Sequence, residues 1–181
     1  DLHIGKTAHF RKNGIALSDQ VFENDLQRLS VLIEYFKPEK FIVVGDLLHA
    51  GDNSGVDKFC EWKNQFPNLE FHLIEGNHDI LDADSYQQTC MKLAARYQAG
   101  PFLLTHEYEE SEYYNISGHV HPCVYLRGLA RRGARLPCFH FGVSSALVPA
   151  FGEFTGSHAI RSQKSDQFFA IGDGQLIGLM G

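Results

Sequence analysis

No apolar run in this 181-residue chain is much longer than a β-strand, so nothing approaches the roughly 20 residues that a membrane-crossing helix needs. Cysteine is sparse: Cys60, Cys90, Cys123 and Cys138 make no CxxC pair. That argues against a thiolate zinc site and for reduced thiols in a cytoplasmic protein. Net positive charge is missing as well. Against 22 acidic residues stand 16 lysines and arginines, a formal −6, which disfavours a protein that coats nucleic acid through its overall field. Internal repeats, linkers and low-complexity stretches are also absent. The length suits a single domain spanning 1–181, with 44% hydrophobic residues to supply its core.

What the chain does contain is a recurring punctuation, clearest at Val44-Gly45-Asp46-Leu47-Leu48-His49. Phe41-Ile42-Val43-Val44 reads as a strand buried on both faces. Gly45 permits a sharp turn, and Asp46 stands at the carboxyl end of that strand, where open α/β sheets bind their ligands. The same arrangement recurs. Asp1-Leu2-His3 opens the chain, Gly76-Asn77-His78-Asp79 follows Phe71-His72-Leu73-Ile74, and His106 follows Phe102-Leu103-Leu104-Thr105. Gly118-His119-Val120-His121 follows Tyr113-Tyr114-Asn115-Ile116. Five predicted strand ends thus deliver a carboxylate, an amide or an imidazole, a set able to build one polynuclear metal site.

Ser18 is the expected N-cap of a helix with Phe22, Leu26, Leu29, Ile33 and Phe36 on one face, ended by Pro38. Residues 52–55 read as a loop, and Val56, Phe59, Cys60 and Phe66 as a second amphipathic helix stopped by Pro67. A strand follows over 70–75 and a short helix within 82–90. Residues 92–97 and 102–105 are predicted as two strands joined across Gln98-Ala99-Gly100-Pro101. Beyond Gly118 the alternation is β-like, through Cys138-Phe139-His140-Phe141 to a hairpin at Asp173-Gly174. The opening half therefore reads as an α/β sheet and the closing half as antiparallel. Because Asp1 falls at a predicted strand end, further residues are expected upstream of it, and a targeting segment there stays open.

Taken singly, each motif is weak, and a structural role outranks a metal role for any one of His3, His106, His119 or His121. Together, two aspartates, one asparagine and four histidines form a mixed oxygen and nitrogen donor set. That set suits manganese, iron or zinc better than calcium or magnesium. Two metals bridged by a carboxylate lie about 3.5–4 Å apart and clamp the attacking and leaving oxygens of an in-line displacement. His72 and His140 sit in apolar stretches and read as structural, and Tyr113 and Tyr114 as packing residues or base-stacking platforms. Cations cluster at Lys6, His9, Arg11 and Lys12, and again at Arg127, Arg131, Arg132 and Arg135. Each cluster fits a solvated loop face or a phosphate-binding face.

The ordered series Asp1-x-His3, Gly45-Asp46, Gly76-Asn77-His78-Asp79, His106 and Gly118-His119-x-His121 resembles that of the calcineurin-like metallophosphoesterases. Asp1-Leu2-His3-Ile4-Gly5-Lys6 with His9-Phe10-Arg11-Lys12 takes the likeness further, as do Gly118-His119-Val120-His121-Pro122, Leu136-Pro137-Cys138-Phe139 and Pro149-Ala150-Phe151-Gly152. These words are similar to the bacterial DNA-ligase-associated metallophosphoesterases, DNA-repair nucleases encoded beside a ligase and a helicase. The resemblance implies an α/β fold, a four-layer α/β/β/α sandwich with two packed sheets. It implies two divalent metals, manganese first, one held by Asp1, His3, Asp46 and His121 and the other by Asp46, Asn77, His106 and His119. A metal-bridging hydroxide would attack phosphorus in line. His78 would protonate the leaving oxygen, with Asp79 orienting its ring, while His9, Arg11, Arg127, Arg131 and Arg132 would contact substrate phosphates. His49, where many relatives carry an aspartate, stays outside the ligand set. The implied function is a DNA nuclease working in the company of a DNA ligase and a helicase. A phosphoesterase of nucleotides or phospholipid precursors and a non-catalytic interaction module are the competing readings.

Overall fold

The structure is a computed structural model describing residues 1–6, 20–48, 54–79, 89, 91–127, 133–152, 155–161 and 163–180. The chain divides into two compact units, Asp1–Ala95 with Phe151–Phe154, and Arg96–Ala150 with Thr155–Gly181. Among the described residues no helix is long and apolar enough to cross a membrane.

The first unit holds α1 (Gln20–Phe36), β1 (Lys40–Val44), α2 (Ser54–Lys63), β2 (Glu70–Ile74) and β3 (Lys92–Ala94). Its strands form a parallel sheet in the order β1-β2-β3, with Val44 opposite Ile74 and Ile74 opposite Ala94. Parallel pairing in this register brings the strands' carboxyl ends out at one edge, so the loops carrying Asp46 and Asn77 emerge side by side. The core joins Leu26, Leu29 and Ile33 of α1 to Val56, Phe59 and Trp62 of α2 and to Val43, Phe71 and Leu73 of the sheet. Trp62 Nε1 donates to Ser30 Oγ at 2.8 Å, and that hydroxyl donates to Leu26 O at 3.1 Å, so the indole's polar atom is satisfied inside the helix pair.

Several expectations change here. Phe36 is exposed, because the buried stripe of α1 stops at Ile33. The helix closes at Lys37, which adopts φ 46° and donates its N–H to Ile33 O at 2.8 Å. Helix α2 already includes Ser54 and Gly55. A β-carbon at Gly55 would lie 2.5 Å from Ile4 Cγ2, so the missing side chain lets the helix start against Ile4. Phe66 lies beyond α2 in a turn yet still packs on the core. Ser18 lies outside the described residues, as does the 82–90 helix apart from Thr89. The strand expected over 92–97 breaks at Ala95. Its first part, β3, pairs parallel to β2, whereas β4 (Arg96–Ala99) pairs antiparallel to β5 (Phe102–Thr105).

The second unit continues with β6 (Tyr114–Ser117), β7 (Pro122–Arg127), β8 (Gly133–Phe141), β9 (Ser145–Leu147), β10 (His158–Ala159), β11 (Gln167–Gly172) and β12 (Gln175–Met180). The strand order is β10-β7-β8-β9-β6-β5-β4, with β11 added to β8 and β12 to β11. The sheet is mixed, not antiparallel throughout: β5–β6, β6–β9 and β7–β10 run parallel. Local alternation cannot reveal this, because strand direction depends on the crossovers between strands. Asp173 (φ 49°) and Gly174 (φ 71°) make the left-handed two-residue turn of the expected β11–β12 hairpin. Tyr114 is a packing residue whose hydroxyl lies 3.0 and 2.9 Å from the carbonyl oxygens of Gly142 and Ser145. His140 Nε2 sits 3.0 Å from Asp166 Oδ2, and His72 is buried beside Glu70, both structural as expected.

Phe59 is fully buried at the meeting of both helices with the parallel sheet. Phe59→Ala should therefore cost about 3–5 kcal/mol, read as a lower urea midpoint with unchanged slope.

Candidate metal centre

In the first unit, Asp46 is the organising residue. It follows Gly45 (φ 75°) and itself adopts φ 36°, with only 2% of its surface exposed. Its main-chain oxygen accepts N–H bonds from Leu2 at 3.0 Å and His3 at 2.9 Å, so the opening segment is laid along the β1 loop. Its carboxylate Oδ1 accepts the His78 N–H at 2.9 Å, and Oδ2 lies 3.8 Å from His3 Nε2. Gly76 makes this approach possible. A β-carbon there would fall 2.2 Å from Asp46 Oδ1 and 2.3 Å from Asp46 N, distances no side chain can occupy.

Asp79 ties the same loops together. Its Oδ1 accepts from Leu48 N and its Oδ2 from Gly76 N, each at 2.9 Å. Burial pushes the Asp79 carboxyl above its usual range, the bonds from Leu48 and Gly76 oppose that, and the Asp46 charge adds to it. Burial likewise lowers the Lys6 ammonium, against the pull of Asp46. Asp1 and His3 are both buried and offer ligand atoms within 4.8 Å of each other. The His3 and His78 rings meet edge-on at 5.7 Å, and Asn77 is exposed in the turn between Gly76 and His78.

In the second unit, His106 leaves β5 while His119 and His121 leave β6. Gly118 N donates to His106 O at 3.1 Å, and His106 Nε2 lies 3.0 Å from His119 Nδ1. Buried Asn115 steadies the two strands through a 2.8 Å bond to Thr105 Oγ1. His121 Nδ1 is 3.0 Å from Gly156 O. A carbonyl only accepts, so Nδ1 carries the proton and Nε2 presents its lone pair, the tautomer a metal ligand needs. His158 N holds His121 O at 3.0 Å, and His119 faces the exposed Glu107 at 3.8 Å.

Backbone strain marks the same residues. Among the described residues, six other than glycine have positive φ: His3, Lys37, Asp46, His119, His121 and Asp173. Lys37 closes a helix and Asp173 turns a hairpin; the other four are expected ligands. Left-handed backbone costs about 1–2 kcal/mol per residue, and such strain gathers where function requires it. The first unit offers oxygen donors from Asp1, Asp46 and Asn77 with the His3 imidazole, and the second the imidazoles of His106, His119 and His121; donors of these types suit borderline divalent ions. His9, Arg11, His49, Arg131 and Arg132 lie outside the described residues, as does the side chain of Arg127 at the end of β7.

A family model described as calcineurin-like phosphoesterase matches residues 1–173. The chain belongs to the calcineurin-like phosphoesterase family. It is accordingly a metal-dependent phosphoesterase, a hydrolase of a family that uses a dinuclear metal centre, and its mixed α/β fold with two sheets matches the metallophosphoesterase sandwich. Among solved structures it is similar to the crystal structure of the Pseudomonas putida nuclease MPE. The TM-score is 0.82 and the identity 33%, over 99% of this chain and 84% of that one. No curated protein matches the chain.

Sequence reading passed over Asp25, buried on α1. The signal for Asp25 was available: it sits three residues after Phe22 and four before Leu29, a charge on the apolar stripe of an amphipathic helix. Gly76→Ala should separate the β1 and β2 loops in this phosphoesterase and lose about 1–3 kcal/mol of stability to overpacking. It should also lower the divalent metal bound per chain; denaturation and elemental analysis measure the two effects.

Proposed function

We propose that the chain is a DNA nuclease, a metal-dependent phosphodiesterase acting in DNA repair, with residues 1–181 forming one metallophosphoesterase domain. The observation that carries this reading is the likeness to a nuclease structure over 99% of the chain at 33% identity. The ligands proposed for two divalent ions, manganese first, are Asp1, His3, Asp46 and His121 for one, and Asp46, Asn77, His106 and His119 for the other. When bound, the two ions would polarise the phosphate and acidify a water towards neutral pH.

The chain's own residues then have distinct tasks. Asp46 is held as the shared carboxylate by the His78 N–H on Oδ1, which fixes its rotamer. His78, anchored by that bond beside Asn77, protonates the leaving oxygen. Asp79 secures the His78 loop through its bonds to Leu48 and Gly76. His9, Arg11, Arg127, Arg131 and Arg132 serve as cations for phosphates flanking the scissile one. The absence of a CxxC pair supports a cytoplasmic setting, and the subfamily words of the sequence support an association with a DNA ligase and a helicase.

Chelator treatment should abolish hydrolysis of both an aryl phosphodiester and DNA, and added manganese should restore both. A panel of single-stranded, nicked and duplex DNA should show cleavage that weakens steeply with salt. The double variant Arg131→Ala/Arg132→Ala should weaken DNA binding and spare the aryl substrate. Turnover of small diesters without DNA cleavage would instead favour the small-molecule phosphoesterase.

His78→Ala should keep its metal yet slow reactions with poor leaving groups by about 10²–10⁴-fold. Unchanged rates in that variant, with metal retained, would remove His78 from the mechanism.

A further inference from the structure

We propose that Phe151 and Gly152 form a strap that positions the Asp1–His3 ligand segment, locked in place by Asp25 and Arg28 of α1; this rests on the metal reading above. The chain enters the first unit a second time for Phe151–Phe154 alone, flanked on both sides by segments of the second. That brief return ends on the opening motif. Phe151 N and Gly152 N both point at Asp1 O, at 3.0 and 3.4 Å. A β-carbon on Gly152 would lie 2.6 Å from Leu2 O and 3.4 Å from Leu2 C, so only glycine lets the strap close this tightly.

Arg28 holds the strap down from α1. Its Nη1 donates to Phe151 O at 3.2 Å and to Asp25 Oδ1 at 2.8 Å, and its guanidinium lies 4.2 Å over the Phe151 ring. Asp25 is 95% removed from solvent by its 5% relative exposure, and its other oxygen comes within 3.7 Å of where a Gly152 β-carbon would stand. A buried carboxylate on the apolar stripe of a helix needs a partner, and Arg28 is that partner. On its other side the opening segment donates from Leu2 N and His3 N to Asp46 O. Residues 1–3 are thus gripped between the Asp46 loop and the strap. The grip holds His3 at φ 50° and aims the side chains of Asp1 and His3 from a fixed backbone. Asp25, Arg28 and Gly152 are positioning residues. Metal-supporting contacts of this kind typically govern affinity by 10–100-fold.

The test titrates manganese calorimetrically into metal-free wild type, Gly152→Ala and Arg28→Ala, alongside thermal melts of the same metal-free proteins. Gly178→Ala in β12, whose methyl would come no closer than 3.8 Å to Phe169 of β11, serves as the control. One of two manganese equivalents should weaken at least 10-fold in both strap variants, a larger loss than the lowering of their metal-free melting midpoints accounts for, and excess manganese should restore kcat. The control should bind as wild type does. Strap variants whose isotherms superimpose on a two-site wild type overturn the inference alone. A variant whose metal-free midpoint collapses in step with its affinity shows ordinary structural support and overturns it too. Should Gly152→Ala fail to fold, Arg28→Ala decides by the same criteria. Wild type that takes up no manganese overturns the metal reading itself, and this inference with it.

Discussion

The carboxylate of Asp46 is approached so closely by the loop after β2 that only a hydrogen fits at Gly76. Everything else in the first unit's cluster depends on that approach. It lets His78 N reach Asp46 Oδ1 and lets Asp79 bond at once to Leu48 on one loop and Gly76 on the other. The parallel register of β1 with β2 supplies the geometry, since strands ending level deliver their loops together. A carboxylate with one oxygen held by an N–H keeps a single rotamer, so its remaining lone pairs are presented without an entropy cost at the moment of binding.

The histidines of the second unit are prepared by the same means. His121 has its tautomer set by Gly156 O, and His106 is carried on the Gly118 N–H bond. His119 and His121 share with His3 and Asp46 a left-handed backbone that ordinary residues avoid. Strain of this kind persists only where neighbouring hydrogen bonds over-determine the conformation. The bonds from Leu2 and His3 to Asp46 O, and from His158 to His121 O, are the visible restraints.

Much of this was legible in the residues alone. The strand ending at Val44, the glycine after it, the carboxylate beyond and the Asp173-Gly174 hairpin stand where they were read, and both helices exist, though α2 starts and stops earlier than its apolar spacing suggests. These features are written in nearest neighbours and short periods. Phe36 was misread because periodicity describes a face and cannot say how far along the helix the core extends. The break at Ala95 was missed because two strands with compatible β propensity abut without punctuation. The parallel pairs of the second unit were missed because strand direction leaves no mark in alternation. For Asp79, the sequence places the carboxylate next to His78, whereas its two oxygens turn back to main-chain N–H groups.

By itself the sequence determined the inventory: which donors exist, which metals they suit, and which strand ends carry them. It did so because ligand chemistry belongs to side-chain types and strand ends are announced by local glycine and polarity. Tertiary structure alone decided which atoms are held and which presented. Asp79 reaches a partner 31 positions away and Arg28 one 123 positions away, so neither contact is coded by any short stretch. Nor does any local pattern explain why residues 76 and 152 must be glycine. Each is required by a backbone or carboxylate oxygen arriving from elsewhere in the chain, within 2.2 and 2.6 Å of the missing β-carbon.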